Sequence, residues 1–288
     1  MRKSDQTFNF TTLFDPLFIT GVNVTIDGQT DSNVPDGDRI DIEAGPESNV
    51  TFKFTVQNLF KEMEIGDLEG FVTIFRIDDG EDLKENISEF HLEPLESNDI
   101  TVKFSMPLQV EDDSYPVEIY IEGTDEDGEN HIATWYSRLK VELEKHDIRL
   151  SDVSVIPETA TSNSEVDIQV DLINAGELPE KINVTVKSSQ LSIDLKQTGI
   201  EVDDNIFEIE EVLFENVKIP GRLNPGIYQI DVKAFYQNGT LAEQENIALE
   251  IVNQNPISVP AVSNDISWDE DTRNDTLNLS KLFVDLDE

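Results

Sequence analysis

Two stretches decide how this chain folds. Phe104-Ser105-Met106-Pro107 is followed by Tyr115-Pro116-Val117-Glu118-Ile119-Tyr120-Ile121, and Val217-Lys218-Ile219-Pro220 by Tyr228-Gln229-Ile230-Asp231-Val232-Lys233-Ala234. In each, a β-like segment ends at a proline, and eight residues later a tyrosine opens a new alternating run. Pro107 and Pro220 are 113 positions apart, as are Tyr115 and Tyr228. A second pair has nearly the same spacing: Phe52-Lys53-Phe54-Thr55-Val56-Gln57-Asn58 lines up with Ile168-Gln169-Val170-Asp171-Leu172-Ile173-Asn174 at an offset of 116. One unit of roughly 110 residues is therefore used twice, matching the two domains that 288 residues suggest.

The apolar residues alternate with a period of two, which buries one face of a strand and wets the other. Val22-Asn23-Val24-Thr25-Ile26 is one example. Strands are expected at 50–56, 71–77, 100–106, 117–121 and 132–143, and again at 148–155, 166–173, 182–186, 206–217, 228–235 and 241–252. Asp-Gly pairs and prolines punctuate them. No segment shows a 3.6-residue apolar period. Short strands with frequent turns imply an all-β fold of tandem immunoglobulin-like antiparallel β-sandwiches. Pro107 and Pro220 then fall at strand ends, where a missing N–H is harmless. Tyr115 and Tyr228 fall where a buried ring with a bonded hydroxyl pins a corner.

The expected layout is an N-terminal arm at 1–17, a diverged sandwich at 18–145, a second sandwich at 146–253, and a linker with an incomplete repeat at 254–288. The link Glu142-Leu143-Glu144-Lys145-His146-Asp147-Ile148 is short. The stretch Val166-Asp167-Ile168-Gln169-Val170-Asp171-Leu172-Ile173-Asn174-Ala175-Gly176, with the later Pro220-to-Tyr228 pair, resembles the core strands of CARDB-like immunoglobulin-like modules of prokaryotic cell-surface proteins, archaeal ones above all. The first unit is similar but carries Asn58-Leu59-Phe60 in place of Asn-Ala-Gly. Glu270-Asp271-Thr272 and Leu277-Asn278-Leu279-Ser280-Lys281-Leu282-Phe283-Val284-Asp285-Leu286-Asp287 look like the opening of a cadherin-like repeat. Such resemblances imply fold far more than activity. They imply a surface protein of several modules.

A formal charge of −41 repels nucleic acid and anionic lipid, which require Lys and Arg to displace counterions. The expectation is therefore no nucleic-acid partner, and no run of about 18 apolar residues is present to insert in a membrane. With no cysteine, thiol catalysis, disulfides and zinc–thiolate sites are excluded. His91, His131 and His146 show no metal-ligand spacing, and no nucleophile elbow or phosphate loop occurs, so the chain is expected not to be an enzyme.

Two site chemistries remain. Asp36-Gly37-Asp38, Asp78-Asp79-Gly80-Glu81-Asp82 and Asp125-Glu126-Asp127-Gly128-Glu129-Asn130 offer clustered oxygens of the kind Ca2+ takes. Of these, Asp36, Asp38, Asp125 and Asp127 are the candidate ligands. None completes an EF-hand loop, and Asp with Gly is also ordinary turn chemistry. Asn9, Asn23, Asn49, Asn86, Asn183, Asn238, Asn274 and Asn278 each head a glycosylation triplet. About three would arise by chance from the Asn, Ser and Thr content, so eight is an excess. The function expected is a non-catalytic extracellular structural or adhesion protein, a spacer, envelope or lattice component. Its partners would be other surface proteins or copies of itself, with the Phe-rich arm at 7–18 as a candidate donor strand. The alternative is a carbohydrate-binding region of a larger extracellular enzyme, with glycans as partners.

Overall fold

The computed structural model describes residues 15–253 and the short pairs 257–258 and 283–284. The chain divides into two compact units between Glu144 and Lys145. Among the described residues there is no helix.

The first unit opens with β1 (Leu17–Ile26), followed by β2 (Gln29–Asp31), β3 (Asn49–Asn58) and β4 (Ile65–Asp78). Then come β5 (Glu81–Leu92), β6 (Ser97–Ser105), β7 (Ser114–Asp125) and β8 (Asn130–Lys140). One sheet has the order β2-β1-β3-β6 and the other β5-β4-β7-β8, with every pairing antiparallel. The core between them includes Val24, Phe52, Phe54, Ile74, Ile119 and Trp135, all buried. Phe52 and Phe104 meet edge to face with ring centroids 5.9 Å apart. The Trp135 indole N–H donates to the Val34 carbonyl at 3.2 Å, which satisfies the one polar atom that this ring brings inside.

The second unit comprises β9 (Ile148–Ile156), β10 (Thr159–Ala160), β11 (Glu165–Asn174), β12 (Glu180–Ser188), β13 (Ile193–Val202), β14 (Glu210–Lys218), β15 (Gly226–Tyr236) and β16 (Leu241–Ile251). Its sheets run β14-β11-β9 and β10-β16-β15-β12-β13. A separate core lies between them, its fully buried side chains aliphatic, among them Ile168, Val170, Leu172, Val184, Ile230 and Leu249, with Phe214, Tyr228 and Tyr236 packed against it. In the tail, β17 (Ile257–Ser258) pairs with β18 (Phe283–Val284). The other residues of the cadherin-like stretch lie outside the described residues.

Set β2 and β10 aside and the two units share one topology. The sheet β1-β3-β6 corresponds to β9-β11-β14, and β5-β4-β7-β8 to β13-β12-β15-β16. This is a three-plus-four immunoglobulin-like sandwich, and the repeated side chains do the same work in both copies. The Tyr115 hydroxyl donates to the Glu111 carbonyl at 3.0 Å, and the Tyr228 hydroxyl to the Asn224 carbonyl at 2.8 Å. Both tyrosines therefore pin the corner before their strand by reaching four residues back. At the end of β3, the buried Asn58 amide donates to the carbonyls of Met63, Leu92 and Glu93, and its oxygen accepts the Phe60 N–H at 2.9 Å. At the end of β11, Asn174 donates to the Leu178 carbonyl at 2.7 Å and accepts the Gly176 N–H at 2.9 Å. The asparagine is what the two units keep. Phe60 and Gly176 serve it only through the backbone, so the difference between Asn-Leu-Phe and Asn-Ala-Gly leaves the motif intact.

Three details differ from the sequence reading. Strands β5 and β13, the edge strands of the corresponding sheets, were not anticipated, and β14 starts at Glu210 rather than at 206. Leu17 and Phe18 are not a free arm: they pair with Asn58 and Gln57 in β1, and the Asp15 carboxylate accepts the N–H of Leu17 and of Ile132. What remains to act as a donor strand is 7–14, outside the described residues.

Candidate functional site

The acidic loops are held by their own carboxylates. In the β7–β8 hairpin, one oxygen of Asp125 accepts the N–H groups of Asp127 and Glu129, each at 2.9 Å. The other lies 2.9 Å from Nε2 of His131. Gly128 supplies the left-handed backbone that the turn requires (φ 84°). His131, first among these donors, holds the Asp125 carboxyl below the usual aspartate range, helped by the backbone N–H of Glu129. The imidazole of His131 in turn lies between Asp125 and Asp15, whose Oδ1 is 3.5 Å from Nδ1, and Phe60 meets its ring edge to face. Asp125 is thus committed to closing a hairpin. Asp127 is exposed beside it.

Asp36 does similar work elsewhere on the unit. Its Oδ1 accepts the Tyr136 N–H at 2.7 Å, while Gly37 donates to the Tyr136 carbonyl and the Ser137 hydroxyl to the Asp38 carbonyl. The 36–40 segment thereby covers the open edge of β8. The Asp38 side chain borders a shallow polar depression of about 350 Å³ with Asp31, Arg39 and Asp41. Asp36 and Asp38 lie against the middle of β8, Asp125 and Asp127 at its hairpin end, so the two pairs do not converge on one site. The third loop is a tight hairpin turn with Asp79 and Gly80 both at positive φ, and Asp82 accepts the Arg76 N–H.

Of the sequons, Asn49, Asn86 and Asn238 are exposed. Asn23 and Asn183 are half-buried, and their side chains bond Gly21, Asn33 and Gly199. Asn9, Asn274 and Asn278 lie outside the described residues.

Two surface features were not legible in the sequence. On the outer face of the sheet β5-β4-β7-β8, Phe71 and Tyr120 stack with centroids 5.1 Å apart, and Lys84 Nζ lies 3.5 Å from the Phe71 ring centre. Lys84 on β5 and Tyr120 on β7 flank Phe71 from either side, so both faces of its ring are covered. Tyr136 stands nearby, 49% exposed, whereas its neighbour Trp135 is core. The second feature joins the start of β4 to the end of β5: one ligand atom each from Glu64, His91 and Glu93 lie within 4.8 Å of one another. Sequence spacing shows only His91 and Glu93 two apart. Finding Glu64 beside them requires the register of a strand that was not foreseen.

In the second unit, His146, Glu180, Tyr236, Gln237, Asn238 and Thr240 line an open cleft of about 600 Å³. His146 Nδ1 is 2.5 Å from Glu180 there, and the Tyr236 hydroxyl accepts the Ile148 N–H.

No family model matches the chain, and no curated protein matches it significantly. Among solved structures it is similar to fibronectin(III)-like modules of CbhA from Clostridium thermocellum, at 12% identity over 79% of this chain and 93% of that one, with a TM-score of 0.19. It is also similar to the C-terminal domain of wzt, at 12% identity over 45% of this chain and 75% of that one, with a TM-score of 0.32. The red sea bream transglutaminase matches at 8% identity with a TM-score of 0.28, and this chain covers 32% of its length. These are β-rich neighbours at low similarity, and they say nothing of function. The class of the protein rests on its own topology: an all-β chain of two immunoglobulin-like sandwiches.

Proposed function

We propose that this chain is a non-catalytic extracellular structural or adhesion protein in which two sandwiches of one design act as a spacer or as a component of an envelope, filament or lattice. The observation that carries this reading is the duplication itself. Two separate cores are fixed by the same tyrosine corner and the same asparagine bolt, and the conspicuous carboxylates of Asp36 and Asp125 are engaged in holding turns and edges. Such a chain transmits position between its ends. The CARDB-like and cadherin-like resemblances and the excess of sequons agree with a cell-surface location. The −41 charge keeps like copies apart at low ionic strength and lets salt or Ca2+ tune their approach.

The test is proteolysis of intact source cells. Peptides from 15–253 released before lysis support the reading, and a chain protected until the cells are broken overturns it. The second reading, a glycan-binding accessory region, draws on Phe71, Tyr120 and Tyr136 on one sheet face. Because Phe71 is covered on both sides, only Tyr136 and the outer side of Tyr120 could stack on a sugar. Retention on a polysaccharide column, lost in Tyr136→Ala, would favour that reading.

A further inference from the structure

We propose that Glu64, His91 and Glu93 form a binding site for a divalent transition-metal ion of the zinc class, separate from the acidic loops. Ile65 pairs with Leu92 across β4 and β5, and both side chains are buried. Strand side chains alternate, so His91 and Glu93, on either side of Leu92, point together to the opposite, outer surface. Glu64 precedes Ile65 and joins them, and the three ligand atoms lie within 4.8 Å of one another. Around a tetrahedral zinc ion with bonds near 2.0–2.1 Å, ligand atoms stand roughly 3.3–3.4 Å apart. Closing the cluster onto an ion therefore takes small rotations of side chains, and His91 and Glu93 are exposed and able to make them.

The backbone beneath the cluster is fixed. The Asn58 amide donates to the carbonyls of Met63, Leu92 and Glu93, tying the two ligand-bearing segments to one buried group. Charge supplies the second argument. Like charges facing each other across a strand pair are destabilising, yet Glu64 and Glu93 converge here. Among the described residues neither pairs with a Lys or Arg. A cation between them removes the repulsion. The imidazole sets the class of ion: Ca2+ and Mg2+ take oxygen ligands, whereas one nitrogen with two carboxylates suits zinc and its neighbours. Three protein ligands leave a position open for water or for a group from another molecule.

The experiment is equilibrium dialysis of the tag-free chain against Zn2+, in 150 mM NaCl with excess Ca2+ to occupy weak carboxylate sites. One saturable equivalent per chain is expected. It should be lost in His91→Ala, weakened about tenfold or more in Glu64→Gln and in Glu93→Gln, and kept in His146→Ala. Zn2+ should also raise the melting temperature of the wild-type chain and leave that of folded His91→Ala unchanged. Absence of a saturable equivalent, or one that persists in His91→Ala, would overturn the proposal.

Discussion

Removing the Asn58 side chain should unfold the first unit far more readily than its size suggests. In Asn58→Ala the carbonyls of Met63, Leu92 and Glu93 and the N–H of Phe60 lose their partner together. An unsatisfied buried group costs about 1–3 kcal/mol, and a half-buried one less, because water can replace the lost partner. The Leu92 bond is fully buried and the others are partly so, which gives about 3–4 kcal/mol in all. That is a large share of the roughly 5–15 kcal/mol by which a domain is stable. Asn58→Asp is the sharper test: it keeps an acceptor for Phe60 but sets a carboxylate against three carbonyl oxygens, so it should be worse than alanine. The assay is urea unfolding followed by the fluorescence of Trp135, in a Trp268→Phe background that leaves one indole. With a slope of about 1.5–2 kcal/mol per molar urea, the Ala midpoint should fall by about 2 M. Asn174→Ala, which frees only Leu178 and Gly176, should cost about 1–2 kcal/mol, read by hydrogen exchange in the second unit. A fall below about 0.3 M for Asn58→Ala, or an Asn58→Asp variant as stable as wild type, would refute the reasoning.

Other consequences follow from the same packing. Tyr115→Phe removes one hydrogen bond at a buried corner and should cost about 1 kcal/mol by urea titration, with Tyr228→Phe costing less because its hydroxyl bond is exposed. Gly70→Ala places a Cβ 2.0 Å from the Tyr120 carbonyl oxygen, so β4 and β7 must part. The loss should reach or exceed about 3 kcal/mol, seen as a lower midpoint or as insoluble protein. The Asp125 carboxyl, depressed first by His131, should titrate below 3.8 by carbon NMR and return toward that value in His131→Ala. Because its folded pKa lies below its unfolded one, this carboxylate stabilises the hairpin above the unfolded value and ceases to do so as pH falls through the folded one. Greater protection of the β7–β8 hairpin in acid than at neutral pH would contradict that sign.

What the sequence showed and what it hid have one physical origin. Strands with one buried face announce themselves: in β7 the side chains alternate strictly, with Tyr115, Val117, Ile119 and Ile121 inside. The corner tyrosines and paired asparagines were visible because they recur at constant spacing. Edge strands β5 and β13 carry mostly exposed side chains, among them Lys84, Glu85, Asn86, Lys196 and Gln197, so no period betrays them. Both were missed, at the same place in each copy. The cluster of Glu64, His91 and Glu93 was hidden with β5, since it exists only through that strand's register. The Asp-Gly loops were visible, but their composition could not distinguish carboxylates that bind an ion from carboxylates that bind their own backbone. Asp36 and Asp125 each accept backbone N–H groups of their own unit.

Two self-contained modules of one design should each hold under load, and pulling the chain by its ends tests that most directly. In single-molecule force extension, each unit should break in its own event and release about 35–45 nm, from roughly 3.5 Å per extended residue. Asn58→Ala should weaken one of the two peaks and leave the other unchanged. A single event releasing both lengths together, or extension with no peak at all, would contradict the claim.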